Sequence, residues 1–352
     1  MRTILVTGGA GFIGSNFIRQ FREKHPTYRI LNVDSLTYAG NLENLELMQT
    51  DALYHFHKVD IRDREAVRQL FDMYEVDEIV HFAAESHVDR SITEPEVFLT
   101  TNVLGTQVLL DTAMRQWKLE PNDKHSRRYR EGVCFVHVST DEVYGSLGSD
   151  GYFTEESPLA PNSPYAASKA SADLLVRAYH ETFGLPVKTT RCSNNYGPYQ
   201  FPEKLIPLMI YNCLAEKKLP IYGDGQQVRD WLHVSDHCEA IDLVRSSGTF
   251  GGVYNIGGHN EKTNLELVKL ILHKLGRPEA LIQLVQDRPG HDRRYAIDAS
   301  KIERELGWTP RYRFEFGIEE TIDWYLAHSD WVEHIVTGAY QTYYHDMYSS
   351  VE

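Results

Sequence analysis

The chain has 352 residues, 42% hydrophobic and 24% charged, which is enough for one large or two modest cores without disulfides or metals. Its formal net charge of −14 excludes a nonspecific nucleic-acid binder, so an anionic small ligand would need a local basic pocket. Cys134, Cys192, Cys213 and Cys238 show neither C-x-x-C zinc spacing nor a secreted disulfide framework, so a reducing cytoplasm and no metal site are expected.

The sequence opens directly on a strand, Thr3-Ile4-Leu5-Val6, with no basic and apolar leader before it, and no apolar run reaches membrane-spanning length. Short apolar runs follow in order: ILVTG at 4–8, RILNVD at 29–34, EIVHFAAE at 78–85 and CFVHVST at 134–140. Between and after them, helical spacing of apolar residues predicts helices over 14–24, 63–74, 95–117 and 164–183. The alternation predicts an α/β fold, a Rossmann-type doubly wound parallel sheet. The polar stretch 119–132 reads as a surface loop. Past Gly184 the rhythm breaks, with prolines at 186, 198, 202, 207 and 220. Residues 1–185 are therefore expected to form the nucleotide-binding domain, with 230–258 returning to it. Residues 186–229 and 259–352 are expected to form a smaller, interleaved substrate-binding domain.

Gly8, Gly9, Gly11 and Gly14 follow the first strand and precede a helix beginning near Phe12. This context suits a pyrophosphate, because only glycines let backbone N–H groups approach it at a helix N-terminus. A bare glycine pattern would be only a tight turn, and the strand-turn-helix setting makes it a cofactor loop. Asp34 ends the second strand 20 residues after Gly14, where its carboxylate can accept both ribose hydroxyls and repel a 2′-phosphate. NAD is expected, not NADP. Asp60 and Ile61 could bracket the adenine, and Ala83-Ala84 could let the chain pass close to the cofactor, although tight packing alone would also explain that pair.

Tyr165 and Lys169 stand one helical turn apart in Y-A-A-S-K, on one face, with Cβ atoms about 5–6 Å apart. A neighbouring ammonium and a positive nicotinamide are expected to lower the tyrosine pKa, making the phenol a base. Without the glycine loop the same spacing would be an ordinary amphipathic surface. Thr140, Asp141 and Glu142 follow a strand directly, at the edge where open α/β sheets hold ligands.

With VTGGAGFIGS, FAAESHVDRSI, STDEVYG, PYAASKA, RCSNNYGPYQFPEKLIPL, YGDGQQVRDWLHV and DRPGHDRRYAID, the chain resembles, from end to end, the dTDP-glucose 4,6-dehydratases of the extended short-chain dehydrogenase/reductase family. The resemblance implies tightly bound NAD held by Gly8, Gly11, Phe12, Ile13, Gly14, Asp34, Ser35, Thr37, Asp60, Ile61, Ala83, Ala84, Thr101, Tyr165, Lys169 and Asn195. It also implies a mechanism. Tyr165, helped by Thr140, takes the 4-hydroxyl proton as C4 gives hydride to NAD; Glu142 removes the C5 proton; Asp141 protonates the departing 6-hydroxyl; hydride returns to C6. Adjacent carboxyls push one pKa upward, which suits an acid–base division between them.

By the same resemblance, Ser86, Thr140, Asn194, Glu203, Lys204, Leu205, Pro220, Tyr222, Arg229, Asn264, Asp287 and His291 hold the nucleotide sugar. Lys204 and Arg229 suit a diphosphate and Tyr222 a pyrimidine face, although Arg229 beside Asp230 could be a surface ion pair. A homodimer through a four-helix bundle is implied, with 95–117 and 164–183 as candidate helices. The tyrosine-rich tail 331–348 is expected to pack on the body. Two other readings share the fold. A sugar-nucleotide epimerase would normally lack the acidic pair, and a non-catalytic NAD-binding scaffold would have no need of Tyr165, Lys169 or that pair.

Overall fold

Thr3–Thr7 and Cys134–Thr140 are buried at every position, as expected of strands covered by helices on both faces. In the computed structural model, which describes residues 1–338, the strands in chain order are β1 (Thr3–Thr7), β2 (Arg29–Asp34), β3 (Tyr54–Lys58), β4 (Glu78–His81), β5 (Cys134–Thr140) and β6 (Val187–Cys192). Then come β7 (Asn194–Tyr196), β8 (Leu219–Tyr222), β9 (Val228–His233), β10 (Val253–Ile256), β11 (Glu261–Thr263) and β12 (Ile282–Val285). Seven of them form one parallel sheet in the order β10-β6-β5-β4-β1-β2-β3. Its direction of travel reverses between β1 and β4, and a crevice opens there beyond the strand ends.

One face of the sheet packs Phe17, Ile18, Ile241 and Val244, and the other packs Val67, Leu109, Trp117 and Val176. Helix Pro164–Phe183 matches its expected span. Ser163 caps it by accepting from the Ala166 N–H at 3.1 Å, Pro164 starts it, and Gly184 ends it at φ 72°.

Two expectations are corrected. The run 78–85 is a strand only to His81; beyond it the chain passes so close to Gly8 that a Cβ there would lie 2.6 Å from the Ala83 nitrogen. The helix over 95–117 is not uniform: Pro95–Phe98 and Thr106–Trp117 flank a π-helical segment, Leu99–Gly105. Such segments re-aim side chains and cluster at functional sites.

The second half builds a three-stranded sheet, β11-β9-β7, and a two-stranded one, β12-β8, around a core that includes Ile206, Ile221, Ile271, Phe314 and Ile322. β9 lies in the three-stranded sheet, helix Val234–Ser247 packs on helix Phe12–Lys24, and β10 joins the large sheet beside β6. No helix among the described residues is long and apolar enough to cross a membrane. Of the tail at 331–348, Trp331, Val332 and Val336 pack into the second core from helix Ser329–Val336, and the part beyond 338 lies outside the described residues.

Candidate active site

A cleft of about 320 Å³ runs along the carboxyl ends of the parallel strands. Gly8 enters it at φ 69°, and a Cβ on Gly14 would lie 2.3 Å from the Gly8 carbonyl oxygen, so both positions require glycine. Gly11 caps helix Phe12–Lys24 without a side-chain acceptor, which leaves its first-turn N–H groups for an anion. Asp34 accepts from the Ala10 N–H at 3.0 Å and the Leu36 N–H at 2.8 Å; burial raises its pKa against those bonds. All the expected cofactor residues line this one cleft: Ser35, Thr37, Asp60, Ile61, Ala83, Ala84, Thr101 and Asn195 join the glycine loop, Asp34, Tyr165 and Lys169. Thr101 arrives there from the π-helical segment. The uncapped helix start, the glycine-only approaches and the acidic strand end fit a dinucleotide with an unmodified ribose diol. Arg62, which sequence reasoning missed, also lines the cleft, but its guanidinium is engaged by Asp60 at 2.6–3.0 Å.

Beside this groove Thr140, Asp141, Glu142, Tyr165 and Lys169 meet. The Thr140 hydroxyl donates to Asp141 Oδ1 at 3.2 Å and accepts the Glu142 N–H at 3.3 Å, which fixes the turn after β5. Lys169 donates to the Val138 carbonyl at 2.8 Å, and burial pushes it down to about 8. The expectation that this lysine lowers the tyrosine is not met by the chain's own charges. Burial pushes the Tyr165 phenol well above its usual value and the Glu142 carboxyl adds to that, with Thr140 opposing the shift.

Both carboxyls of the pair are raised, in unequal fields. Burial raises Asp141 well above the carboxylate range, and Glu142 and Asp230 raise it further. Burial also leaves Glu142 raised, with Arg288, Arg229 and Lys204 opposing the shift and Asp292 adding to it. Asp141 Oδ2 and Asn194 Oδ1 are buried with no hydrogen-bond partner, so both have capacity for a ligand.

Ser86, Asn194, Glu203 and Lys204 line the same cleft, with Lys204 donating to the Ser86 carbonyl at 2.9 Å. Burial raises the Glu203 carboxyl to about 7. Leu205, Pro220, Tyr222, Arg229, Asn264, Asp287 and His291 do not line it. Leu205 instead packs against the second core, and Pro220 sits in β8. Arg229 is buried, donates to the Asp292 carbonyl at 3.0 Å and stacks 4.4 Å over Tyr295, so it is no surface ion pair. Its charge and that of Arg288 reach Glu142. Tyr222 donates to Asp89 at 3.0 Å, Arg288 to the same carboxylate at 3.0 Å, and His291 meets Asp287 at 2.6 Å; these bonds assemble a second polar cluster. Asn264 opens helix Asn264–Lys274 with its Oδ1 buried and unpartnered.

Sequence reasoning also missed Glu85, Gln200, Phe201, Cys192 and Ser193 in the cleft wall, and Asp89 as the joint partner of Tyr222 and Arg288. Each stands beside or within a quoted motif, but only the fold shows which neighbours turn inward. No group of residues suited to a metal occurs among the described residues.

The family model described as GDP-mannose 4,6 dehydratase matches residues 5–321. A dTDP-glucose 4,6-dehydratase of Xanthomonas campestris pv. campestris (strain B100) is 54% identical over 350 residues, covering 97% of this chain and 98% of that protein. The crystal structure of dTDP-glucose 4,6-dehydratase from Bacillus anthracis in complex with NAD superposes with a TM-score of 0.85 at 51% identity, covering 95% of this chain and 100% of that one. The enzyme of the same name from Streptomyces venezuelae, solved with NAD bound, gives 0.87 at 50% identity, covering 95% and 99%.

Proposed function

The chain belongs to the dTDP-glucose 4,6-dehydratase family, and we propose that it converts dTDP-glucose to dTDP-4-keto-6-deoxyglucose and water with NAD as a retained cofactor. The observation that supports this reading is the pair of carboxyls, Asp141 and Glu142, lining one cleft with Tyr165 in unequal fields, which suits an acid and a base. Hydride transfer alone, or a 4-epimerisation, needs neither.

When bound, NAD supplies a hydride acceptor for C4, a hydride donor for C6 and a positive charge beside the phenol. Lys169 and Tyr165 would hold its nicotinamide ribose, the first-turn N–H groups after Gly11 its pyrophosphate, and Asp34 its adenosine ribose. Tyr165, with Thr140 opposing the rise in its pKa, takes the proton of the 4-hydroxyl. The ketone acidifies C5–H, which Glu142 removes as its carboxylate. Asp141, whose carboxyl burial raises, gives its proton to the departing 6-hydroxyl, and water leaves; as hydride returns to C6, Glu142 gives its proton back to C5, and the proton taken by Tyr165 restores Asp141. Each transfer contributes about 10²–10⁴ in rate. Lys204, Arg229 and Arg288 supply the positive field for the diphosphate in an otherwise acidic chain. Asn194, Asn264 and Tyr222 bind the sugar and base ends.

Residues 1–185, with β6 and part of 230–258, act as the NAD-binding domain, and the remainder as the substrate domain. The protein pairs as a homodimer through the 95–117 and 164–183 helices, a reading supported by the exposure of Leu104 and Leu174, 56% each, on the two segments. Four free thiols, all buried, suit a cytoplasmic enzyme. The product would feed deoxysugar synthesis, dTDP-rhamnose among its outlets. The test is to offer dTDP-glucose, UDP-glucose and GDP-mannose to the purified protein and follow each by mass spectrometry. Loss of one water from dTDP-glucose in preference to the others supports the reading, and unchanged dTDP-glucose overturns it.

A further inference from the structure

Helix Ser329–Val336 lies outside the cleft, yet its indole reaches the cofactor loop through one intermediary. Trp331 Nε1–H donates to Asn44 Oδ1 at 2.9 Å, and Asn44 Nδ2–H donates to the Ala10 carbonyl at 3.0 Å. Both side chains are sequestered, Trp331 8% and Asn44 2% exposed, so neither bond has water as a ready substitute. The Ala10 carbonyl also accepts the Asn41 N–H at 3.0 Å, and the Ala10 N–H is held by Asp34. The peptide groups just before the uncapped helix start are thus fixed on both sides. Part of that fixing comes from a helix more than 300 residues away in sequence. Tyr199 supports the indole edge-on at 5.9 Å and donor Arg19 meets the Tyr199 hydroxyl at 2.9 Å, so the contact is braced from both ends.

We propose that Trp331 and Asn44 are positioning residues for NAD retention: the C-terminal helix holds the pyrophosphate loop in its binding geometry through the Asn44 carboxamide. Neither residue lines the cleft. Their role is exerted through Ala10, and it matters because a cofactor that takes hydride and later gives it back must stay bound through the whole turnover. The inference rests on NAD being the resident cofactor.

The test compares the parent with Trp331→Phe, which keeps a ring and loses the donor, and Asn44→Asp, which keeps an acceptor for the indole and loses the N–H given to Ala10. NAD bound per chain after extended dialysis and the rate of NAD release, followed by competition with excess labelled NAD, are measured together with the melting temperature of cofactor-free protein. About fivefold faster release in each variant is expected, from loss of one buried hydrogen bond, with lost activity restored by added NAD. Release as slow as in the parent, with only the melting temperature reduced, overturns the proposal and leaves the contact purely structural. A correctly folded parent that holds no NAD overturns both this inference and the cofactor reading on which it rests, so the two failures are distinguishable.

Discussion

Asp141 and Glu142 are consecutive, the first buried and the second partly exposed, and they sit in unequal fields: Arg288, Arg229 and Lys204 oppose the rise at Glu142, to which Asp292 adds, whereas Glu142 and Asp230 raise Asp141 against Arg229. The turn between them is pinned by Thr140, and the proposed division makes Asp141 the proton donor and Glu142 the acceptor. Glu142→Gln should therefore abolish exchange of C5–H with solvent while leaving oxidation at C4 detectable as bound NADH. Asp141→Asn should retain C5 exchange and lose elimination. Each should reduce turnover about 10²–10⁴-fold. Deuterium incorporation in heavy water, read by NMR, separates the two; identical exchange behaviour would refute the division of roles.

Asp173 sits one turn beyond Lys169, meets the His137 ring at 3.2 Å and accepts from Arg191 at 2.8 Å. Burial alone would raise its pKa, but these partners hold it at about 2. Because that value is depressed, its stabilisation is complete above the unfolded carboxylate value and is lost as pH falls from about 4 to 2, an amount of about 2 kcal/mol. Acid unfolding of the parent should show this loss, and Asp173→Asn should lack it. The same carboxylate resists the burial that lowers Lys169 to about 8. In the variant, the alkaline limb of kcat should therefore move to lower pH by about one unit.

Arg229→Lys tests the diphosphate field. A buried ammonium loses its charge more readily than a guanidinium and cannot stack on Tyr295 while donating to the Asp292 carbonyl. KM for the nucleotide sugar should rise about 10- to 100-fold, the worth of a charge-assisted contact. An unchanged KM in a folded variant would remove Arg229 from the site.

Leu104→Glu with Leu174→Glu should convert a dimer to a monomer in sedimentation velocity, because a buried unpaired carboxylate costs several kcal/mol. A double variant that sediments as the parent does would move the interface elsewhere.

Much of the site was legible because it is local. The glycine loop, Asp34 and the Tyr165–Lys169 step each occupy one strand-turn-helix or one helix face, so spacing alone brings their atoms together. What was not legible is non-local. The strand over 78–85 reads apolar to its end, but Gly8 presses against Ala83 and ends it at His81. The π-helical turn that carries Thr101 is invisible to a 3.6-residue period. The upward push on Tyr165 by the chain's own groups was not legible, because it comes from burial and from Glu142 on the turn after β5. The same holds for Asp89, which becomes the shared anchor of Tyr222 and Arg288 only when segments about 130 and 200 residues away fold over it.

The central claim is that one retained cofactor carries hydride from C4 to C6 within a single sugar while the carboxyl pair removes water. It is tested most directly by incubating purified protein, with no NAD added, with dTDP-glucose deuterated at C4. The account predicts a product lighter by one water with deuterium at C6, formed over many turnovers. A C4 epimer that keeps its deuterium at C4, or unchanged substrate in folded NAD-loaded protein, would contradict it.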